Sequence, residues 1–357
     1  MVTGERKKIL YFVPSLEKGG PTNQLFELAS HLDGLRFDPV FLTLSKEGDA
    51  SDRAMFSARG WEVDSLALSV SDYFTKGRRC LRDAISSLRP AIVHTSGVRC
   101  DYLVSSFKEY EDVFCMTVHC SQAEDSYGAI LGRLLMLMER AAIRRCKYPV
   151  ACSSSLAEFY SGRYGLSMHA IRNGVSGFCC PGTISEKPLM KAMMVGSLCE
   201  RKDPITALKA FRCLPEDLCS FHVCGKGELY EVCRLYESDN VVFHGYVDNI
   251  REHMVDADVL VSSSTSEGLP MSVLEAGATG CYLVLSDIPA HRELLKENKQ
   301  CGILFPVGDD RALAEAVQGI DLPKLRASRK ARSLAFLQNH SSARMAKEYE
   351  LLYENMR

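Results

Sequence analysis

A chain of 357 residues, 46% hydrophobic and 25% charged, is too long for one ordinary core and average in composition, which predicts two domains and excludes fibrous or disordered architectures. The formal net charge of -2 supplies no field that would gather nucleic acid, so no nucleic-acid partner is expected. Fifteen cysteines, odd in number and without a Cys-x-x-Cys pair or zinc-type histidine spacing, predict a reducing cytoplasm where cysteine acts as a small hydrophobe, Cys179 and Cys180 included.

Along the chain, Met1 to Lys8 runs directly into an apolar strand, Ile9 to Val13, too short for a signal-peptide core or a membrane span. After the loop Pro14 to Gly20, Pro21 opens a helix whose Leu25, Leu28, Ala29 and Leu32 fall on one face. Further strands are predicted at Val40 to Leu44, Ala91 to His94, Val113 to Val118 and Pro149 to Cys152. Turn formers crowd Ile171 to Gly182, which predicts a linker. The pattern then restarts with a strand at Met190 to Val195, the loop Gly196 to Lys202, and a helix with Asp203 as N-cap and Pro204 first. Strands near Phe221 to Val223, Val241 to Phe243, Val259 to Ser262, Tyr282 to Leu285 and Gly302 to Phe305 follow. From about Leu322 the chain is glycine-free and helical in composition. Strand-helix alternation of this kind predicts an α/β fold with parallel sheets, in domains of residues 1–173 and 174–335.

Ligands of open parallel sheets bind outside the C-terminal strand ends, so the loops there carry the chemistry. In Ser266-Glu267-Gly268-Leu269-Pro270, one carboxylate sits at a strand end, and Glu275 lies within the helix that Pro270 is expected to open. Gly268 permits close backbone approach, and the amides of that helix start can receive an anion. Glu275 stands among Val273, Leu274 and Ala276, where a carboxylate needs a partner; ribose or sugar hydroxyls are suitable donors. Two glutamates eight apart are common by chance, so the weight rests on the whole run from Ser266 to Ala276.

That run resembles the core signature of retaining glycosyltransferases of the GT-B fold, in the large GT4 family (glycosyl transferases group 1). The resemblance is strongest over residues 190–306 and looser in the first half. It implies two Rossmann-like domains with parallel sheets facing across a cleft, and a C-terminal helix, residues 336–357, packing back toward the first domain. It places Glu267 near the transferred sugar and Glu275 on the nucleotide ribose. Gly196 to Asp203 resembles the segment that grips the donor diphosphate, so Arg201 and Lys202 would offset leaving-group charge without a metal. Gly19 and Gly20 match the glycine loop of the first domain, His119 a strand-end histidine at the donor sugar. Lys226 and Tyr246 match donor-binding loops, while His94 is read as structural support. Gly268, Leu269 and Pro270 complete the donor contacts. Gly308-Asp309-Asp310 is read as a helix cap rather than a metal site.

The implied reaction moves a hexose or N-acetylhexosamine from a nucleoside-diphosphate sugar, UDP ahead of GDP, to a saccharide or lipid-linked acceptor with retention and no cofactor. A GT-B-shaped nucleotide-sugar epimerase and a non-catalytic binding subunit are the alternatives. The intact set Arg201, Lys202, Glu267 and Glu275 disfavours the second. Tyr127 to Lys147 mixes Leu131, Leu134, Leu135, Leu137 and Met138 with Arg133, Arg140, Arg144, Arg145 and Lys147. It reads either as a core helix with a basic solvent side or as a peripheral membrane contact at the cytoplasmic face. Arg78, Arg79 and Arg82 favour the membrane contact modestly.

Overall fold

The structure, a computed structural model, describes residues 6–120, 129–177 and 189–356; Tyr127, Cys179 and Cys180 lie outside the described residues. Two compact units divide the chain, residues 1–174 with 342–357 and residues 175–341.

The first unit is built on strands β1 (Lys7–Val13), β2 (Phe37–Thr43), β3 (Glu62–Ser65), β4 (Ile92–Ser96), β5 (Phe114–Val118), β6 (Tyr148–Ala151) and β7 (His169–Ala170). They form one parallel sheet in the order β3-β2-β1-β4-β5-β6-β7. Parallel strands covered by helices on both faces read as continuous apolar runs, and Ile9 to Val13 and all of β5 are buried. The two strands absent from the sequence reading, β3 and β7, lie at the sheet edges; β3 alternates exposed and half-buried residues and β7 is two exposed residues. Neither has an apolar run to reveal it.

The helix Gly20–His31 begins with Gly19 as N-cap and buries Leu25, Leu28, Ala29 and Leu32. The helix Ser342–Asn355 belongs to this same unit and packs against it. It is fastened by a buried polar chain: Tyr353 is hydrogen-bonded to Tyr11 at 3.1 Å and to His94 Nδ1 at 2.6 Å. His94 Nε2 and Tyr349 both meet Thr117 Oγ1 at 2.8 Å. Each of these groups would be costly to bury alone, and together they satisfy one another.

The second unit holds β8 (Met190–Val195), β9 (Cys219–Cys224), β10 (Val241–Gly245), β11 (Val259–Ser262), β12 (Tyr282–Ser286) and β13 (Gly302–Phe305). All pair in parallel in the order β10-β9-β8-β11-β12-β13. Chain order reverses between β8 and β11, which makes their two loops neighbours at a topological switch point. Phe211 and Phe221 stack in the core beside Cys219 and Cys233. No disulfide joins the described cysteines, most of which are buried.

The helix Met271–Ala278 is pinned at its C-terminal end, where carbonyls lack helical partners. Arg329 Nε donates to Thr279 O at 2.9 Å, Arg332 Nη2 to Gly280 O at 2.8 Å, and Ser333 Oγ to Ala278 O at 2.5 Å. The segment after Leu322 thus forms the helices Leu322–Ala327 and Arg329–His340 of this unit before the return at Ser342.

Candidate active site

The loop after β8 turns through Gly196, whose φ of 141° lies in the region that favours glycine, and the loop after β9 turns through Gly225 at 146°. A Cβ on Gly225 would overlap the carbonyl of Gly196, so the two loops touch only because Gly225 has no side chain. Leu198 N donates to Lys226 O at 3.0 Å and Leu229 N to Leu198 O at 2.9 Å, locking them together. The Gly196 loop then runs into a turn Glu200–Lys202 and the helix Pro204–Arg212, which Asp203 caps by accepting from Thr206 N.

Hydroxyl side chains after β11 tie the turn down from the other side. Ser263 Oγ donates to Asp203 O at 2.6 Å, and Thr265 N donates to Arg201 O at 2.8 Å. With both loops fixed, Arg201 Nη1 stands 2.7 Å from Glu267 Oε2 and Lys202 Nζ 2.6 Å from Glu267 Oε1. Ser264 Oγ donates to Glu267 Oε1 at 2.8 Å, and Arg201 Nη1 also reaches Ser266 O at 2.8 Å. Burial alone would raise the Glu267 carboxyl, but Lys202 and Arg201 together outweigh it and hold it down at about 2. Among the described residues, two cations thus converge on one carboxylate, a grouping suited to an anion.

Behind this group lies His291, fully buried, its Nδ1 donating to Ser286 O at 2.8 Å. Its Nε2 faces Ser262 Oγ at 3.5 Å, and Ser262 Oγ lies 3.2 Å from Ser264 Oγ, the hydroxyl that holds Glu267. Burial pushes this imidazole down to about 4, so it is neutral at neutral pH. The sequence reading missed His291, Ser263 and Ser264. A run of small hydroxyl residues after an apolar strand is visible in sequence, but the partner each hydroxyl finds is not.

Gly268, Leu269 and Pro270 are buried. Pro270 is the N-cap of its helix, extended at ψ 121°, rather than part of the first turn expected from its sequence; the helix starts at Met271. Glu275 is buried as expected beside Val273, Leu274 and Ala276, and Arg251 Nη2 approaches its Oε1 at 3.6 Å. That arginine, from the helix Ile250–Asp256, was not anticipated. Lys226 and Tyr246 lie on the loops after β9 and β10, at the same strand ends, with exposed side chains. Asp309 caps the helix Asp310–Gln318 by accepting from Ala312 N at 2.9 Å.

In the first unit, Gly19 and Gly20 follow β1, and His119 follows β5, both at C-terminal strand ends. Burial pushes His119 down to about 4, which keeps its ring uncharged near neutrality. His94 sits inside the buried chain already described, pushed down to about 3 by burial and by His119.

Two parallel-sheet Rossmann-like units, with a two-cation, one-carboxylate cluster at the switch point of the second, are the architecture of a GT-B glycosyltransferase. The chain carries two glycosyltransferase-family domains: residues 190–320 match the family described as Glycosyl transferases group 1, and residues 18–176 match Glycosyltransferase Family 4. Among curated proteins it is 24% identical to the O-antigen biosynthesis glycosyltransferase WclY of Escherichia coli, over 98% of both chains. It is 36% identical to the putative glycosyltransferase EpsD of Bacillus subtilis over 24% of this chain and 22% of that protein. Similar solved structures include sucrose-phosphate synthase of Thermosynechococcus elongatus, with a TM-score of 0.80 and 16% identity over 98% of both chains. Another is Anabaena Alr3699/HepE in complex with UDP and glucose, with a TM-score of 0.76 and 17% identity over 98% of this chain and 100% of that one. No helix among the described residues is long and apolar enough to cross a membrane.

Proposed function

We propose that this glycosyltransferase moves a hexose or N-acetylhexosamine from a UDP-sugar to a hydroxyl of a saccharide or lipid-linked acceptor, with retention, in bacterial surface polysaccharide synthesis at the cytoplasmic side. The observation that carries the reading is the convergence of Arg201 and Lys202 on the buried Glu267 at the switch point of the second sheet. Departure of a nucleoside diphosphate develops negative charge on phosphate oxygen, and two cations fixed in place answer it without a metal ion. Glu267 and the neutral His119 position the sugar, and Glu275 accepts from ribose hydroxyls. Gly196 and Lys226 border the phosphates, and Tyr246 borders the base. Gly268, Leu269 and Pro270 present backbone to the donor, and Gly19 and Gly20 are read as a donor-binding glycine loop. The acceptor hydroxyl attacks on the face the diphosphate leaves, and a leaving phosphate oxygen takes its proton. The UDP complex of a protein of the same fold and the O-antigen role of WclY support this choice of donor and process.

A panel of UDP-, GDP- and ADP-sugars, followed by calorimetry and by nucleotide release, tests it. Saturable binding of one UDP-sugar is expected; binding of none of them would sink the donor assignment, and a preferred GDP-sugar would replace UDP.

A further inference from the structure

The sequence leaves the segment around Leu131 to Arg145 between core packing and a lipid-facing role, and burial decides between them. In the helix Ala129–Arg145 the side chains turned inward are Glu139, Ala142 and Ile143. Ile130 is 90% exposed, Leu137 58%, Leu134 52% and Leu131 49%, so the leucines expected in a core stand in solvent. Ile130, Leu134 and Leu137 recur at i, i+4 and i+7 and stack along one helix face, with Leu131 beside them. Single exposed apolar residues are ordinary, but four on adjoining turns form a patch that needs an occupant.

Charge on the same face indicates which occupant. Arg144 and Arg145 continue the stripe toward the C-terminus and are exposed, Arg145 passing over the Tyr102 ring without an acidic partner among the described residues, and Arg133 flanks it. The helix holds a single acid, Glu139, which is buried on the opposite side and hydrogen-bonded by the Tyr160 hydroxyl. Beyond the helix end, Arg144 and Lys147 border a surface hollow of about 430 Å³, where Lys147 is paired with Asp112 at 2.7 Å, so Arg144 carries the charge there. Among the described residues of the helix, the face is thus apolar and positive and Glu139 points away from it. Arg78 and Arg82 do not add to it as the sequence suggested, because they engage Ser106 and Glu109 on another element.

We propose that this face docks the chain onto an anionic lipid bilayer. Ile130, Leu131, Leu134 and Leu137 enter the acyl boundary while Arg133, Arg144 and Arg145 meet headgroup phosphates, with the helix lying in the plane of the interface. The apolar part covers about 10 Å along the helix axis, the length of roughly two turns. Docking there is separable from the donor residues of the second unit, and it would hold the first unit against a surface where lipid-linked acceptors reside.

The full chain is mixed with vesicles of phosphatidylcholine alone and of phosphatidylcholine with phosphatidylglycerol, then sedimented at low and high salt. Binding to the anionic vesicles only, weakened by salt, is expected. The pair Leu134→Glu and Leu137→Glu, and the pair Arg144→Glu and Arg145→Glu, should each lower partitioning by about tenfold or more. Leu35→Glu, at an exposed leucine elsewhere in the unit, should leave it unchanged, and thermal melting checks that every variant is folded. Failure of the wild type to bind anionic vesicles overturns the proposal, as does unaltered binding by the leucine pair. A wild-type dimer in light scattering that the leucine pair splits would also overturn it, since a second copy would then cover the face.

Discussion

Replacing Glu267 by glutamine removes the charge between Arg201 and Lys202 while keeping the side chain's size. Both ion-pair distances are short, 2.7 and 2.6 Å, and the arginine and lysine side chains retain 21% and 14% of their exposure. Breaking a fully buried pair costs about 3–5 kcal/mol; the residual solvent at both cations reduces this to roughly 2 kcal/mol of lost stability. The same change should tighten the grip on a diphosphate. A carboxylate roughly 6 Å from a phosphate charge repels it by about 3 kcal/mol at an effective dielectric of about 20, and screening leaves an effect of about tenfold in Kd. Glu267→Gln should therefore melt lower, bind UDP more tightly and transfer sugar at least about tenfold more slowly, because the sugar loses its anchor. Arg201→Ala and Lys202→Ala should move UDP affinity the other way and slow transfer by a similar factor. Calorimetric titration with UDP at two salt concentrations, with melting curves alongside, reads all of these. Weaker UDP binding by Glu267→Gln, or wild-type turnover in the two cation variants, would refute the charge assignment.

On the proposed ribose role of Glu275, Glu275→Ala should weaken UDP binding by about tenfold while leaving inorganic diphosphate affinity unchanged; equal losses for both ligands would exclude that role. Gly225→Ala, which drives a methyl group into the Gly196 carbonyl, should cost about 3 kcal/mol or more and abolish UDP binding, measured by melting and titration. Acid should destabilise both units. His94 and His291 are buried with pKa values pushed down to about 3 and about 4, so the stability they carry is complete above the unfolded value near 6.5. It drains as pH falls from there toward 4, because the unfolded chain takes up protons that the native one refuses. The two groups together give a slope of up to about 3 kcal/mol per pH unit, and His94→Asn or His291→Asn should flatten it in denaturant titrations at stepped pH.

The central strands were legible in the sequence, and so were the Asp203 cap and the glutamate-bearing run, since each is signalled by residues adjacent along the chain. Met190–Val195 and Val259–Ser262 are apolar runs of the kind that is buried between two helical layers. The edge strands Glu62–Ser65 and His169–Ala170 gave no such sign, because partners hold them rather than their own composition.

Sequence alone thus determined the two α/β halves, the strand-end loops and the residue types in the Arg201, Lys202 and Glu267 cluster, through patterns of period, capping and spacing that act within a few residues. Tertiary structure decided what those residues touch. Arg201, Lys202 and Glu267 meet only because β8 and β11, far apart in the chain, are neighbours at the switch point. The Arg251 contact to Glu275, the burial of His291 and the exposure of Leu134 and Leu137 likewise depend on which elements pack together. A leucine's hydrophobicity is written in its side chain, whereas its burial is a property of its neighbours.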